Sequence, residues 1–198
     1  MKLVIITGMP GAGKSEVAQV FRDIGFQVIV MGDVIREELR KRGLEANPEN
    51  TKTVMLDLRE REGPAAIANR CLDGLRRVKS ETVVVEGCRS VAELEVFEHY
   101  AVAVTVLCIH SSPSTRFARL RQRGRDDAPP EWSTFRERDI REISVGLGGL
   151  IALSDIMLIN ESSIEALRDA ARGITMRFQK NAGGRERQGL PDRGSRTS

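Results

Sequence analysis

The first fifteen residues constrain this chain most: a short apolar run meets a glycine-rich turn, and a helical pattern follows at once. Residues 3–6 read Leu-Val-Ile-Ile, the β-branched kind of run that fills a strand buried on both faces. Gly8, Met9, Pro10, Gly11, Ala12, Gly13, Lys14 and Ser15 come next, spaced as a glycine, four residues, then Gly-Lys-Ser. Glycines permit positive φ and let the backbone approach a phosphate closely. The loop N–H groups and the helix N-terminus behind them form an anion cradle. The Lys14 ammonium is expected to reach the β- and γ-phosphates, and the Ser15 hydroxyl to ligate Mg²⁺. A merely flexible turn would share the glycines but not the context. Here a buried-type strand precedes the loop, and Val17, Val20, Phe21 and Ile24 behind it share one helical face. The chain is expected to bind a nucleoside triphosphate.

Composition narrows the partners. At 198 residues, one main domain is expected, large enough to bury a core without disulfide or metal staples. Aromatic residues make up 4%, too few for a base-stacking platform. The net charge of +3 equals the charge of residues 180–198 alone, so residues 1–179 balance to zero and form no basic face. A nucleic-acid partner is therefore not expected. Cys71, Cys88 and Cys108 form no Cys-x-x-Cys pair and read as buried thiols in a reducing compartment. His99 and His110 stand at no metal-ligand spacing from them. The first residues enter a strand rather than a leader, and no apolar run approaches membrane length. A cytoplasmic protein with no membrane partner is expected.

Along the chain, strands are expected at 3–6, 26–31, 83–85, 102–109 and 156–159. Helices are expected between them, including 51–61, 64–78, 91–97 and 135–144, with a last one reaching about residue 178. Asn47-Pro48-Glu49-Asn50 reads as a loop, and 145–153 as a glycine-spaced apolar segment. Such alternation implies right-handed βαβ units. The fold class is α/β: a three-layer sandwich with about five parallel strands and helices on both faces. Residues 180–198, with Gly183-Gly184 and scattered charge, are expected to be a basic disordered tail.

In a parallel sheet, ligands sit beyond the carboxyl ends of the strands. Gly32-Asp33, with Arg36 one turn on, and Glu86-Gly87-Cys88-Arg89 stand at two such ends. Glu86 occupies the place of an acid that holds Mg²⁺ through water. Asp33 and Arg36 also fit a simple helix-start ion pair, and Arg89 a loop arginine. The third concentration is Arg116, Arg119, Arg121, Arg123 and Arg125, then Asp126-Asp127 and, after two prolines, Arg136, Arg138 and Arg141. Arginine forks bind phosphate oxygens bidentately, which lysine does not reproduce. A proline-broken pair of arginine-bearing helices fits a closing lid better than a merely solvated face.

On these motifs the chain resembles the adenylate-kinase-like nucleoside monophosphate kinases of the P-loop class. More closely it resembles an archaeal family of nucleotide-kinase-like proteins sometimes compared with dephospho-coenzyme A kinases. The resemblance covers residues 1–177. It implies a P-loop kinase-like domain at 1–179, with an acceptor-binding insertion at 33–80 and a lid at 116–142. Gly32-Asp33-Val34-Ile35-Arg36 is similar to the segment whose arginine contacts the acceptor phosphate. Glu86-Gly87-Cys88-Arg89 is similar to an Asp-Gly-x-x-Arg segment, one residue shorter and with Glu for Asp. Arg119 and Arg123 match the lid-entry arginines, Asp126-Asp127 the lid acidic pair, and Arg138 and Arg141 the lid-exit arginines. Asn160 resembles the base-side segment. The implied activity is ATP- and Mg²⁺-dependent phosphoryl transfer to a small phosphorylated acceptor, most simply a nucleotide. Arg36, Arg89 and Asp33 would hold the acceptor, while Lys14, Arg119, Arg123, Arg138 and Arg141 spread the transferring charge. Were the acceptor a hydroxyl, Asp33 would serve as base. The alternative is an ATP-binding switch with slow hydrolysis and a macromolecular partner.

Overall fold

In the computed structural model, which describes residues 1–124 and 128–180, five strands run parallel. They are β1 (Lys2–Thr7), β2 (Gln27–Val30), β3 (Thr82–Glu86), β4 (Ala103–His110) and β5 (Ile156–Ile159), in spatial order β2-β3-β1-β4-β5. The helices are α1 (Lys14–Asp23), α2 (Met31–Lys41), α3 (Pro48–Glu62), α4 (Ala66–Arg76), α5 (Val91–Tyr100), α6 (Pro113–Gln122), α7 (Trp132–Ser144), α8 (Leu147–Ala152) and α9 (Ile164–Lys180).

The apolar run near the N-terminus becomes the middle strand because both its faces are covered. Leu3 and Ile5 point into a core made with residues of α2–α5 and α8. Val4 and Ile6 point into a second core made with α1 and α9. All four are at most 1% exposed, and burial of such a side chain contributes roughly 1.5–3 kcal/mol. The result is the three-layer architecture expected of uninterrupted apolar strands.

Local details depart from the sequence pattern in four places. The second strand is an edge strand, half-buried along 28–30 rather than buried throughout. It stops at Val30, because Met31 already turns into α2 to bury its side chain at 2% exposure. Gly32 and Asp33 therefore lie in the first turn of a helix, not ahead of it. Asn47-Pro48-Glu49-Asn50 is a helix start rather than a loop: Asn47 caps α3 by accepting from the Asn50 N–H at 2.9 Å, and Pro48 takes the first position. The glycine-spaced segment holds a short helix, α8, whose Leu147 and Leu150 are buried.

Register then brings the expected strand ends together. Ile6 pairs with Glu86 and Thr7 with Cys108, and the Gly87 N–H donates to the Ile6 carbonyl at 3.0 Å. Chain leaving β1, β3 and β4 thus emerges on one rim. All three cysteines are buried free thiols. No helix among the described residues is long and apolar enough to cross a membrane. Arg125, Asp126, Asp127 and residues 181–198, hence the expected lid acidic pair and nearly all of the expected tail, lie outside the described residues. Lys180 closes α9.

Candidate active site

The loop between β1 and α1 is built from conformations that only glycine adopts easily: Gly8, Gly11 and Gly13 have φ of 137°, 81° and 106°. Space is equally restrictive. A Cβ on Gly8 would lie 2.2 Å from the Ile109 carbonyl oxygen, and one on Gly13 would lie 2.6 Å from Asn160 Nδ2. Met9 and Ala12 are buried beneath the loop, at 9% and 0% exposure. Gly8, Pro10, Gly11, Gly13, Lys14 and Ser15 line a cavity of about 1010 Å³. That volume sits at the upper end for a small-molecule site.

Lys14 Nζ donates to the Gly8 and Met9 carbonyls at 2.8 and 3.1 Å. Burial first, and then the Arg89 guanidinium, lower its pKa from 10.5 to about 8, against the pull of Glu86 and Glu142. Ser15 Oγ donates to Glu86 Oε1 at 2.8 Å, joining the loop hydroxyl to the acid that ends β3. A hydroxyl and a buried carboxylate at the phosphate end of such a loop fit Mg²⁺, which takes few protein oxygens and completes its shell with water and phosphate. No group of three or more His, Cys, Asp or Glu side chains gathers among the described residues to hold a metal.

Arg36 and Arg89 line the same cavity, each already beside an acid. Arg36 Nε donates to Asp33 Oδ1 at 2.9 Å, and both side chains are exposed. Asp33 does not line the cavity. Arg89 Nη1 donates to both carboxylate oxygens of Glu142, at 2.9 and 3.0 Å. The Arg89 N–H also donates to Glu93 Oε2 at 2.8 Å, and Arg59 Nη2 donates to Glu93 Oε1 at 2.8 Å.

Arg116, Arg119 and Arg123 succeed one another at three and four residues, one stripe along α6. Arg116 is structural: 3% exposed, it grips Asp139 of α7 with two bonds at 2.8 and 2.5 Å and donates to the Pro10 carbonyl at 3.2 Å. Its guanidinium also covers the Phe135 ring at 4.9 Å. Arg119 donates to the Asn160 and Ser162 carbonyls and to Asn160 Oδ1, at 2.9, 3.1 and 3.2 Å. Asn160, 4% exposed, spends its Nδ2 on the Ala12 carbonyl at 2.8 Å, so it braces the phosphate loop from behind. Arg119, Arg123, Arg138 and Asn160 line the cavity; Arg141 is exposed on α7 and does not.

Arg59, Glu93 and Glu142 also line the cavity, and sequence reasoning missed them. Glu93 did carry a signal, the Ser90-x-x-Glu93 spacing of a capping box. In the structure Ser90 Oγ does accept from the Glu93 N–H at 3.2 Å, but the Glu93 carboxylate turns to Arg59 and to the Arg89 N–H. Arg59 and Glu142 read simply as charges on solvated helices.

A family model described as an AAA domain matches residues 4–142. A UPF0200 protein of Hyperthermus butylicus is 42% identical over 176 residues, covering 89% of this chain and 94% of the relative. Among solved structures, TT1252 from Thermus thermophilus superposes with a TM-score of 0.61 at 16% identity, covering 89% of this chain and 97% of that one. A shikimate kinase from Acinetobacter baumannii, solved with shikimate, gives 0.56 at 16% identity, covering 92% of this chain and 95% of that one. At such identities the structural likeness speaks for a shared P-loop kinase-like fold.

Proposed function

The chain belongs to the AAA-domain and UPF0200 families, and from its site we propose that it is an ATP- and Mg²⁺-dependent kinase whose acceptor is a small phosphorylated molecule, most simply a nucleotide. One observation carries the reading: Arg36, Arg89, Arg123 and Arg138 line a single cavity together with the phosphate loop. Phosphoryl transfer depends on cations around the migrating group and on positioning more than on covalent help from the protein. The bond between the γ-phosphorus and the β–γ bridging oxygen breaks, a bond to an acceptor oxygen forms, and ADP departs.

The residues divide the work. The loop N–H groups and Lys14 hold the triphosphate. Ser15 and Glu86 would hold Mg²⁺, which supplies charge neutralisation at the β- and γ-oxygens when bound. Arg36 and Arg89 take the acceptor phosphate, exchanging Asp33 and Glu142 for it. Arg123 and Arg138 spread the transition-state charge, and Arg119 with Asn160 keeps the loop in shape. Residues 33–80 serve as the acceptor-binding insertion and 116–142 as the lid. Because Asp33 is exposed, paired with Arg36 and outside the cavity lining, no base is assigned.

The test is ADP formation from Mg-ATP across all nucleoside monophosphates and dephospho-coenzyme A, with Lys14→Ala as control. The expected result is strong stimulation by one acceptor and loss of nearly all turnover in Lys14→Ala. Slow turnover that no acceptor stimulates would replace the kinase with an ATP-driven switch.

A further inference from the structure

Residues 87–90 join β3 to α5 and carry Arg89, and hydrogen bonds fix their backbone from both sides. Gly87, at φ 103°, donates its N–H to the Ile6 carbonyl at 3.0 Å. The Cys88 carbonyl accepts from the buried Thr7 hydroxyl at 2.9 Å. Ser90 caps α5 by accepting from the Glu93 N–H at 3.2 Å. The Arg89 N–H is taken by Glu93 Oε2 at 2.8 Å. In a capping box that carboxylate would bond the N–H of the capping serine itself. Here it reaches one residue further back, to the arginine.

Glu93 is also far more enclosed than a helix-start acid need be. Its side chain is 1% exposed, and its other oxygen accepts from Arg59 Nη2 of α3 at 2.8 Å. A buried ion pair gains little net stability over apolar residues of similar size, because desolvation offsets its attraction. What this pair supplies is geometry: Arg59 fixes Oε1, and Oε2 is thereby aimed at the Arg89 backbone. At the other end of Arg89, Nη1 lies 2.9 and 3.0 Å from the two Glu142 oxygens. The same guanidinium is, after burial itself, the largest influence lowering the Lys14 pKa. A long side chain places its head well only when its backbone is fixed, and contact between an arginine fork and a phosphate is sensitive to that placement.

We propose that Glu93 is a positioning residue of the acceptor site, holding the Arg89 backbone so that the Arg89 guanidinium meets the incoming phosphate. Arg59 orients and neutralises Glu93. The proposal rests on the phosphate-binding role given to Arg89 above, and Glu93 acts through Arg89 rather than on the ligand.

The test compares two double variants of the full chain. Arg59→Met with Glu93→Gln removes both charges yet keeps an amide oxygen for the Arg89 N–H. Arg59→Met with Glu93→Leu removes both charges and that oxygen as well. Neither leaves a buried charge unpaired, and thermal melts confirm that both fold. The probe is inorganic phosphate, titrated calorimetrically with the phosphate loop filled by a non-hydrolysable ATP analogue and Mg²⁺. The Gln variant is expected to bind phosphate within about threefold of the native chain, and the Leu variant at least about tenfold more weakly, the size of one misplaced charge-assisted hydrogen bond. In an Arg89→Ala background, exchanging Gln for Leu at position 93 should change the affinity no further. Equal affinities in the two double variants would overturn the proposal. A Leu-specific loss that persists without Arg89 would overturn it too, as would a native chain that takes up no phosphate or takes it up regardless of Arg89. ADP formation across the acceptor panel separates the two readings. If an acceptor stimulates turnover and both double variants share one KM for it, the proposal fails and the kinase stands. If phosphate binding follows Glu93 as expected but no acceptor stimulates turnover, the kinase reading fails and the role of Glu93 stands.

Discussion

Lys14 rests its ammonium on the carbonyl oxygens of Gly8 and Met9. Burial and the Arg89 guanidinium favour its neutral form and bring its pKa down to about 8. Because the shift is downward from 10.5, the folded chain binds fewer protons than the unfolded one between those values. The empty protein thus gains stability as pH rises through that window. Nucleotide binding runs the other way. A bound polyphosphate favours the ammonium, so binding takes up protons near pH 8. Affinity is expected to be full below that pH and to fall by about tenfold per unit well above it. Calorimetry at pH 8.5 in two buffers of different ionisation enthalpy measures the uptake, and Lys14→Ala should abolish both the uptake and the pH dependence. A flat affinity from pH 7 to 10 would mean that Lys14 keeps its ordinary pKa or does not meet the phosphates.

The α6 helix shows how one sequence pattern can hold two jobs. Arg116, Arg119 and Arg123 lie on one stripe and look alike in the sequence, yet only Arg119 and Arg123 line the cavity. Arg116 instead ties α6 to α7 through Asp139, twenty-three residues on, and to the phosphate loop through Pro10. No local pattern announces that difference, because it depends on a carboxylate that the fold brings from another helix. Asp139→Asn should leave Arg116 charged, buried and half-partnered. The expected cost is about 3–5 kcal/mol, a melting point lower by roughly 10 °C for a chain of this size. Replacing both, Arg116→Met with Asp139→Leu, should restore most of that stability, since the pair's attraction is offset by its own desolvation. If Asp139→Asn melts with the native protein, the ion pair does not fasten α6 to α7.

For the molecule as a whole, the sheet and the phosphate loop were legible because their signals are local. A continuous apolar strand must be covered on both faces, and a glycine spacing between strand and helix admits few conformations. The acceptor side was legible only in part. Arg36 and Arg89 stand beside motifs, whereas Arg59–Glu93 joins α3 to α5 across 34 residues and Arg89–Glu142 joins the loop after β3 to α7 across 53. Those links run along the cavity from α3 through α5 to α7, while Ser15–Glu86 joins the phosphate loop to the end of β3. Ligands that bind only the folded site must therefore stabilise the whole chain. At one hundred times its dissociation constant, Mg-ATP should add about 2.7 kcal/mol, raising the melting point by roughly 5–10 °C. ATP with a chelator should give a smaller rise. Glu86→Gln should lose the Mg²⁺-dependent increment while retaining the rise given by ATP alone, and Lys14→Ala should lose most of both. Equal shifts with and without Mg²⁺ in the native chain would remove the metal from the Ser15–Glu86 site, whereas an increment that survives in Glu86→Gln would move it to other oxygens.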